Sequence, residues 1–376
     1  MKILFAGGGT AGHINPALAI AGYVKERQPD AEILYVGKIG GMEERLVPQA
    51  GIEFKGISVQ GFSRKISLKG LKENIITISK AISGGKAAKK IIKEFAPDIC
   101  VGTGGYVSGP VLRAAAQLGI PTIIHEQNAF PGVTNKMLAK HADRVMLAMP
   151  AAKKHFKGHS KFTETGNPVR GAILTADRDE SRKLLGLDER PVILSFGGSL
   201  GAQIVNESIA DIIARSAKDG KYQHIHAYGQ YGKWFPDLLK DKGADLDNAD
   251  NLDIREYIND MPVCLAAADL VIARAGAITL SEIQVKGKPS ILIPSPNVAE
   301  NHQYHNAMAL VENNAAVMIE EKDLTPEKLT EEIDKLAGDP ERLKQYGKNA
   351  KEMAVDDAAK RIYSVIIEVL ASHRAK

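Results

Sequence analysis

A histidine stands at the end of the first glycine-rich turn of this chain. The turn reads Gly7-Gly8-Gly9-Thr10-Ala11-Gly12-His13 and follows the apolar segment 3–5, so a helix is expected to follow, with His13 in its first turn. A helix N-terminus carries a partial positive charge, which favours the neutral form of an imidazole placed there. A neutral imidazole accepts protons, so His13 is a candidate general base. The alternative is a histidine that only hydrogen-bonds the turn.

A second glycine-rich turn lies about half a chain later. It reads Gly197-Gly198-Ser199-Leu200-Gly201-Ala202 and follows the apolar segment 192–194. A strand, a glycine turn and a helix form a cradle for phosphate, and Ser199 adds a hydroxyl and a backbone N–H. Two such turns predict two similar domains that face each other across a cleft.

The first turn also satisfies the dinucleotide pattern G-x-G-x-x-G, but its context argues against that use. The pattern requires an acidic residue at the end of the second strand to bind a ribose. Here that strand ends Tyr35-Val36-Gly37-Lys38, without a carboxylate. The turn also lacks the Lys-Ser/Thr ending of a Walker A loop. A nicotinamide or flavin enzyme is therefore disfavoured.

Polar clusters follow two further strands of the first half. These clusters read Gly102-Thr103-Gly104-Gly105-Tyr106 and His125-Glu126-Gln127-Asn128. The carboxyl ends of parallel strands form the ligand edge of such sheets, so both clusters are expected to line the cleft. Individual side chains within them could equally brace the loops.

The second half carries groups suited to a nucleotide sugar. Arg170 offers a positive charge to a diphosphate, and the segment from Arg274 to Glu282 follows a strand with small residues that let a ligand approach. Glu282 is placed to hold ribose hydroxyls; the alternative is a solvated acid on a helix face. The polar run Asn301-His302-Gln303-Tyr304-His305-Asn306 suits a sugar, because hydroxyls need donors and acceptors together.

The elements that must position these groups alternate along the whole chain. Apolar strands are predicted at 3–5, 33–36, 99–101, 122–125, 144–147 and 162–165, and again at 192–196, 224–227, 269–273 and 290–294, with helices between them. In the first half, helices are expected to begin near Pro16, Glu43, Pro110 and Val133. This βα order predicts an α/β fold with doubly wound parallel sheets. Because 376 residues exceed one ordinary core, two domains are expected: 1–166, and 167–355, with the last helix at about 356–376 returning to the first.

Composition excludes several classes of protein. A net charge of +4 and 5% aromatic residues give no support for nucleic-acid binding. Cys100 and Cys264 lie in apolar surroundings and are expected to be reduced core residues; no metal-ligand spacing occurs, so neither a metal nor a cofactor is predicted. No apolar run approaches the ~20 residues of a membrane span. The chain enters a strand at Ile3, so no signal peptide is expected.

A basic, apolar segment covers residues 64–93, with nine Lys or Arg residues opposed only by Glu73. One interpretation is a core-packed helix with a solvated basic face. The other is contact with an anionic membrane, in which isoleucines enter the interface and lysines meet lipid headgroups. The residues expected to make that contact are Lys72, Ile75, Ile76 and Lys80.

Taken together, these blocks resemble one known family. In order along the chain, Gly9-Thr10-Ala11-Gly12-His13, Gly102–Tyr106, His125–Asn128, Gly166-Asn167-Pro168-Val169-Arg170, Gly197-Gly198-Ser199 and the Arg274–Glu282 stretch are similar to the MurG family, glycosyltransferase family 28. The resemblance implies a GT-B fold of two Rossmann-like domains. It also implies an inverting transfer of GlcNAc from UDP-GlcNAc to the 4-hydroxyl of MurNAc in lipid I, which yields lipid II for peptidoglycan synthesis.

The resemblance also implies roles for individual residues. Those matching contacts to the donor or the diphosphate are Thr10, Ala11, Gly12, Asn128, Arg170, Ser199, Ile258, Ala277, Ile278, Thr279, Glu282 and Gln303. Those matching the acceptor side are Gly104, Gly105, Tyr106, His125 and Glu126, and His13 matches the favoured base. Ala11 replaces a usual glycine, and His302 stands where some members have a second glutamine beside Gln303.

The family further implies a peripheral protein on the cytoplasmic face of the inner membrane, with cell-wall synthesis and division proteins as partners. Three alternatives remain open from the residues. One is a diacylglycerol glycosyltransferase, the second is a UDP-GlcNAc 2-epimerase, and the third is a non-catalytic nucleotide-sugar-binding subunit.

Overall fold

The computed structural model describes residues 1–59, 83–158 and 161–375. They form two compact units: unit 1 comprises Met1–Pro168 with Asp357–Lys376, and unit 2 comprises Val169–Asp356. The predicted membrane-contact residues Lys72, Ile75, Ile76 and Lys80 lie outside the described residues. None of the helices within the described ranges is both long enough and apolar enough to cross a bilayer.

Unit 1 is a seven-stranded parallel sheet with helices on both faces. Its elements are β1 Lys2–Gly7, α1 Ala11–Arg27, β2 Glu32–Lys38, α2 Glu43–Gln49, β3 Glu53–Ile57, α3 over 83–95, β4 Ile99–Gly104, α4 Ser108–Gln117, β5 Thr122–Glu126, α5 Val133–Leu138, β6 Arg144–Leu147, β7 Phe162–Glu164 and the last helix, α15 Ala358–Arg374. The strand order is β3-β2-β1-β4-β5-β6-β7.

Unit 2 is a six-stranded parallel sheet of the same kind. Its elements are α6 Gly171–Thr175, α7 Arg178–Leu184, β8 Val192–Phe196, α8 Gln203–Asp219, β9 Gln223–Ala227, α9 Phe235–Asp241, β10 Leu252–Arg255, α10 Met261–Ala267, β11 Leu270–Ala273, α11 Ala277–Val285, β12 Ser290–Leu292, α12 His302–Val311, β13 Ala316–Met318, α13 Pro326–Ala337 and α14 Pro340–Glu352. The strand order is β10-β9-β8-β11-β12-β13.

Both sheets reverse their strand order at one point, between β1 and β4 in unit 1 and between β8 and β11 in unit 2. This is the doubly wound Rossmann arrangement, in which ligands bind beyond the carboxyl ends of the strands at the reversal. The predicted α/β class is therefore confirmed. Both glycine-rich turns leave the strand beside the reversal, β1 and β8.

The core of unit 1 shows why these residues form these elements. Along β1, Ile3 and Phe5 pack on one face with α1 and α15, and Leu4 and Ala6 pack on the other with helices α3 and α4. Because both faces are covered, the central strands are continuously apolar, which made them visible in the sequence. Cys100 and Cys264 are free and buried, as expected.

Three strands were missed in the sequence, and all three lie at sheet edges. They are β3, β10 and β13. The residues of β10 are all half-buried, and β3 alternates between exposed and half-buried positions before its buried last residue. Neither β3 nor β10 has the apolar run that marks a central strand, whereas β13, Ala316–Met318, is apolar but only three residues long.

The first helix was predicted to begin near Pro16, and this was wrong. Helix α1 begins at Ala11, so Pro16 lies inside it. Pro16 has no N–H to donate to the preceding turn, and an interior proline normally disfavours a helix. The earlier start places His13 as the third residue of α1.

The last helix, α15, belongs to unit 1. Ile362 and Ile366 are fully buried against the α1 face of the sheet. Gln28 Nε2 donates to Tyr363 Oη over 2.8 Å, and His373 Nε2 lies 2.9 Å from Asp143 Oδ1. The chain therefore leaves unit 1 after Pro168 and re-enters it at Asp357.

Candidate active site

The first group of predicted site residues meets at the carboxyl edge of the unit 1 sheet. Thr10, Ala11 and Gly12 are exposed at the start of α1, and His13 follows them, half-buried. Gly104 ends β4, the strand beside β1; Gly105 follows it, and Tyr106 is 56% exposed next to them. One sheet edge thus carries the candidate base and the residues expected around it.

The glycines after β4 allow a close approach to the first turn. Gly104 and Gly105 have φ values of +105° and +81°, which favour glycine. A Cβ on Gly104 would lie 2.8 Å from His13 Nδ1, and one on Gly105 would lie 2.2 Å from the carbonyl oxygen of Gly8. The His13 ring and the first turn therefore pack directly against the backbone of Gly104 and Gly105, where a side chain would not fit.

The candidate base is held by a buried hydrogen-bond network. His13 Nδ1 lies 3.3 Å from Gln127 Oε1, and Thr103 Oγ1 donates to the carbonyl of His13 over 2.7 Å. His125 is fully buried, and its Nε2 lies 2.9 Å from the Gly166 carbonyl. Burial lowers the pKa of His125 to about 4, so its ring is neutral near pH 7. Gln127 lies in the cluster His125–Asn128 but was not among the predicted site residues.

Glu126 braces the loop that carries Asn128. Its carboxylate is buried and accepts from the backbone N–H of Asn128 at 3.0 Å and of Gly132 at 3.2 Å. It also accepts from Asn135 Nδ2 at 2.8 Å. His125 and Glu126, expected on the acceptor side, thus make their hydrogen bonds inside unit 1. They position the loop after β5, in which Asn128 is half-buried.

Glu43 is a site residue that sequence reasoning missed. Its side chain is fully buried, and its two oxygens accept from Gly9 N at 3.3 Å and Lys38 N at 2.9 Å. The acid absent from the end of β2 is therefore supplied five residues later, at the first residue of α2. Because this carboxylate already accepts from an N–H of the first turn, the turn is less available as a phosphate cradle. The only signal in the sequence was an acidic residue soon after a strand.

The second group of predicted residues meets at the carboxyl edge of the unit 2 sheet. Ser199 is exposed in the turn after β8, and α11 begins at Ala277 after the adjacent strand β11. Ile278 and Thr279 lie half-buried in the first turn of α11. A glycine turn and a helix N-terminus on neighbouring strands present several N–H groups that can bind phosphate.

Arg170 and Glu282 form an ion pair within unit 2. Arg170 Nη2 and Nε donate to Glu282 Oε1 over 3.0 and 3.3 Å. The side chain of Glu282 is 12% exposed, and that of Arg170 is 55% exposed. Burial raises the pKa of Glu282, and Arg170 opposes that rise. Glu282 is therefore an enclosed carboxylate rather than the solvated acid that was the alternative.

Ile258 and Gln303 lie after two further strands of the same sheet, β10 and β12, which are separated by β9, β8 and β11. Ile258 is buried just beyond β10, next to Tyr257, which is 55% exposed. Gln303 Oε1 accepts from Ser295 N over 2.9 Å, which connects α12 to the loop after β12. Arg274, which opens the glycine motif after β11, is anchored by Glu321 at 2.6 Å. Together with Ser199 and α11, these residues place donors and acceptors after β8, β10, β11 and β12.

Comparison with known proteins agrees with this geometry. The N-terminal domain of glycosyltransferase family 28 matches residues 3–147, and the C-terminal domain of that family matches residues 192–362. The chain belongs to glycosyltransferase family 28. The family assignment made from the sequence is confirmed.

Full-length relatives in this family carry one descriptive name. A protein of Acetivibrio thermocellus is 47% identical over 376 residues, covering 100% of both chains, and one of Bacillus cytotoxicus is 42% identical over 98% of this chain and 100% of its own. Both are called UDP-N-acetylglucosamine--N-acetylmuramyl-(pentapeptide) pyrophosphoryl-undecaprenol N-acetylglucosamine transferase. The crystal structure of Acinetobacter baumannii MurG matches with a TM-score of 0.77 and 29% identity, covering 98% of this chain and 99% of its own.

A UDP-GlcNAc 2-epimerase from Neisseria meningitidis, bound to UDP-GlcNAc, matches with a TM-score of 0.67 over 99% of this chain and 100% of its own. Its identity is only 14%, so this likeness concerns the fold alone.

Proposed function

We propose that this chain transfers N-acetylglucosamine from UDP-GlcNAc to the 4-hydroxyl of MurNAc in lipid I, and so produces lipid II. The observation that carries the proposal is the 47% identity over the whole length of a relative named for that transfer. A relationship that includes both units supports a shared reaction more strongly than a shared fold does. UDP-GlcNAc and an undecaprenyl-linked acceptor are accordingly its substrates.

We assign the donor to the carboxyl edge of the unit 2 sheet. The diphosphate lies against Ser199 and the N-terminus of α11, where backbone N–H groups and the helix dipole stabilise negative charge. Glu282 accepts from the ribose hydroxyls, and Arg170 contributes charge beside the diphosphate. Ile258 contacts uracil, and Gln303 contacts the hydroxyls of GlcNAc. These roles agree with the enclosed carboxylate and the half-exposed guanidinium of the ion pair.

We assign the reacting hydroxyl of the acceptor to the carboxyl edge of the unit 1 sheet. The 4-hydroxyl oxygen forms a bond to the anomeric carbon while the bond from that carbon to the diphosphate oxygen breaks. The hydroxyl proton moves to His13, and the electron pair of the broken bond leaves with UDP. Attack from the face opposite the diphosphate inverts the anomeric centre. The start of α11 and Arg170 stabilise the departing charge.

We further propose that unit 1 binds the anionic surface of the membrane that holds the acceptor. In α5, Val133 and Met137 are one helical turn apart and are 52% and 63% exposed. Lys136 lies in the same helix with its Nζ 4.6 Å from the centroid of the Phe130 ring, and Lys140 is exposed just beyond. Exposed apolar side chains among lysines are typical of interfacial binding. Sedimentation with vesicles tests this: anionic vesicles should bind the protein more than zwitterionic ones, and Met137→Ser should weaken that binding.

One assay tests the proposed reaction against its rivals. The full-length protein is incubated with labelled UDP-GlcNAc and a soluble lipid I analogue, with diacylglycerol, or without an acceptor. Label in the disaccharide product of the lipid I analogue supports the proposal. Label in a glycolipid, or conversion of UDP-GlcNAc to its 2-epimer without an acceptor, would replace it by one of those activities. Absence of any product with all three would favour a binding subunit.

A further inference from the structure

We infer that Gln127 is a positioning residue that holds His13 in one tautomer, with the proton on Nδ1 and the lone pair on Nε2. The inference deepens the proposed function and rests on it only in taking His13 as the base. It assigns the proton-accepting atom of the reaction to His13 Nε2.

The orientation of the Gln127 amide follows from its neighbours. Gln127 Nε2 lies 3.0 Å from the carbonyl oxygen of Thr103 and 3.0 Å from that of His125. Carbonyl oxygens only accept hydrogen bonds, so the NH₂ group of the amide must face them. The opposite orientation would place an amide oxygen against two carbonyl oxygens. Gln127 Oε1 is therefore the atom that faces His13.

This orientation decides the tautomer of His13. An amide oxygen only accepts, so His13 Nδ1, at 3.3 Å from Gln127 Oε1, must be the donor. In a neutral imidazole only one nitrogen carries a proton, so Nε2 keeps a lone pair. Among the described residues, no hydrogen-bond partner occurs at Nε2, and His13 is only half-buried. This nitrogen is available to an incoming hydroxyl.

Gln127 is itself firmly held. It is 1% exposed, and Asn167 Nδ2 donates to its carbonyl oxygen over 3.2 Å. His125 Nε2 donates to the carbonyl of Gly166, so the Nδ1 of this neutral ring is an acceptor, and it shares the two protons of Gln127 Nε2, 3.0 Å away, with the two carbonyl oxygens. Both ring nitrogens of His125 are thus engaged inside the protein. Of the two histidines at this edge, His13 is the one with a nitrogen left for chemistry.

A group that fixes a catalytic histidine acts on the rate rather than on donor binding. It keeps the lone pair on the nitrogen that faces the substrate, and it stabilises the imidazolium that forms when the proton arrives. Without it, the ring can adopt the other tautomer or rotate away. Losing the partner that orients a metal-bound histidine typically lowers activity about 10–100-fold, and we expect a loss of the same order for His13.

The kinetic test compares two substitutions at one position with a matched control elsewhere. Gln127→Leu removes the acceptor, so we expect kcat to fall about 10–100-fold while KM for UDP-GlcNAc is unchanged. The protonated form of Gln127→Glu donates its hydroxyl to one of the two carbonyls and keeps an oxygen toward His13, so it should recover part of that loss. Gln117→Glu makes the same chemical change at an exposed position of α4 and should alter neither quantity.

A normal rate for Gln127→Leu would overturn the inference, as would equal losses for the leucine and glutamate variants. Equal losses would indicate a packing role only.

A second measurement separates this inference from the proposed function. Nitrogen-15 NMR of the full-length protein labelled at histidine distinguishes the two tautomers, and His13→Asn identifies the resonances of His13. We expect protonated Nδ1 and bare Nε2 in the wild type, with both tautomers present in Gln127→Leu. A wild-type ring protonated on Nε2 refutes the inference. If the tautomer is as expected but lipid I receives no sugar, the proposed function fails and the positioning of His13 stands.

Discussion

Glu282 offers a sharp test of how unit 2 holds a nucleotide. Its Oε1 is occupied by Arg170, whereas Oε2 has no hydrogen-bond partner within the described residues. We expect Oε2 to accept from a ribose hydroxyl. Replacing Glu282 by Gln keeps the size of the side chain and removes its charge. Because Arg170 is largely exposed, losing the ion pair should cost at most about 1 kcal/mol of unfolding free energy.

The expected loss of affinity follows from the hydrogen bonds involved. A hydrogen bond to a charged group contributes about 1.5–3 kcal/mol, against about 0.5–1.5 kcal/mol for a neutral pair. The Glu282→Gln variant should therefore bind nucleotide about 1–2 kcal/mol more weakly, or about 5–30-fold in Kd. The measurement is isothermal titration of UMP and of UDP. Glu312→Gln, the same change at an exposed residue just after α12, is the control and should bind both normally.

Comparison of the two nucleotides locates the contact. If Glu282 meets the ribose, its substitution weakens UMP and UDP by the same factor. If Arg170 meets the diphosphate, Arg170→Ala weakens UDP by a larger factor than UMP. Unchanged Kd values for Glu282→Gln would refute the assignment of ribose to this carboxylate. A Glu282→Gln substitution that raises the Kd of UDP by a larger factor than that of UMP would also refute it.

Four further predictions concern the framework of the site. Gly105→Ala should lower the unfolding free energy by more than about 2 kcal/mol, because the left-handed φ costs about 1–2 kcal/mol and the new Cβ also clashes with Gly8. Gly119→Ala, at a similar φ but in open space, should cost only the about 1–2 kcal/mol of the φ. Urea unfolding measures both changes. Ile366→Ala should cost about 2–5 kcal/mol and its exposed neighbour Ile367→Ala less than about 1 kcal/mol by the same measurement. Glu43→Gln should lower both Tm and kcat, because the buried carboxylate that accepts from the first turn is lost; unchanged values would contradict its role. Finally, burial lowers the pKa of His224 and that of His226, both in β9, to about 3, below the unfolded value of 6.5. The contribution of these neutral histidines to the unfolding free energy is therefore fully present above pH 6.5. It should fall by about 1.4 kcal/mol per histidine per pH unit as the pH drops toward 3. Unfolding free energies that do not change with pH would contradict this.

Much of the fold could be predicted because most of the central parallel strands are rich in apolar residues. Residues 99–101 and 192–194 are buried within their sheets and form continuous apolar runs in the sequence. The edge strands β3 and β10 carry no such run, and β13 is only three residues long. Their strand character depends on a neighbour in the sheet that the local sequence does not specify.

The candidate site divides in a similar way. Residues in glycine turns and at helix starts, such as Ser199 and His13, were visible because turn chemistry is local. Glu43 and Gln127 were not identified, because their importance lies in contacts with residues 34 and 114 positions away. A buried glutamate or glutamine reads in the sequence as an ordinary polar residue. Its function becomes apparent only when the partner atoms are known.

The return of α15 to unit 1 has a consequence for folding during synthesis on the ribosome. Unit 2 is one uninterrupted stretch, 169–356, and can complete its fold as soon as that stretch has emerged. Unit 1 is started first but lacks a covering helix until α15, which follows unit 2 in the sequence, has been made. In the meantime, the face formed by Ile3 and Phe5 remains partly uncovered, a condition under which nascent chains aggregate or recruit chaperones. The half of the protein that is synthesised first is therefore the half that is finished last.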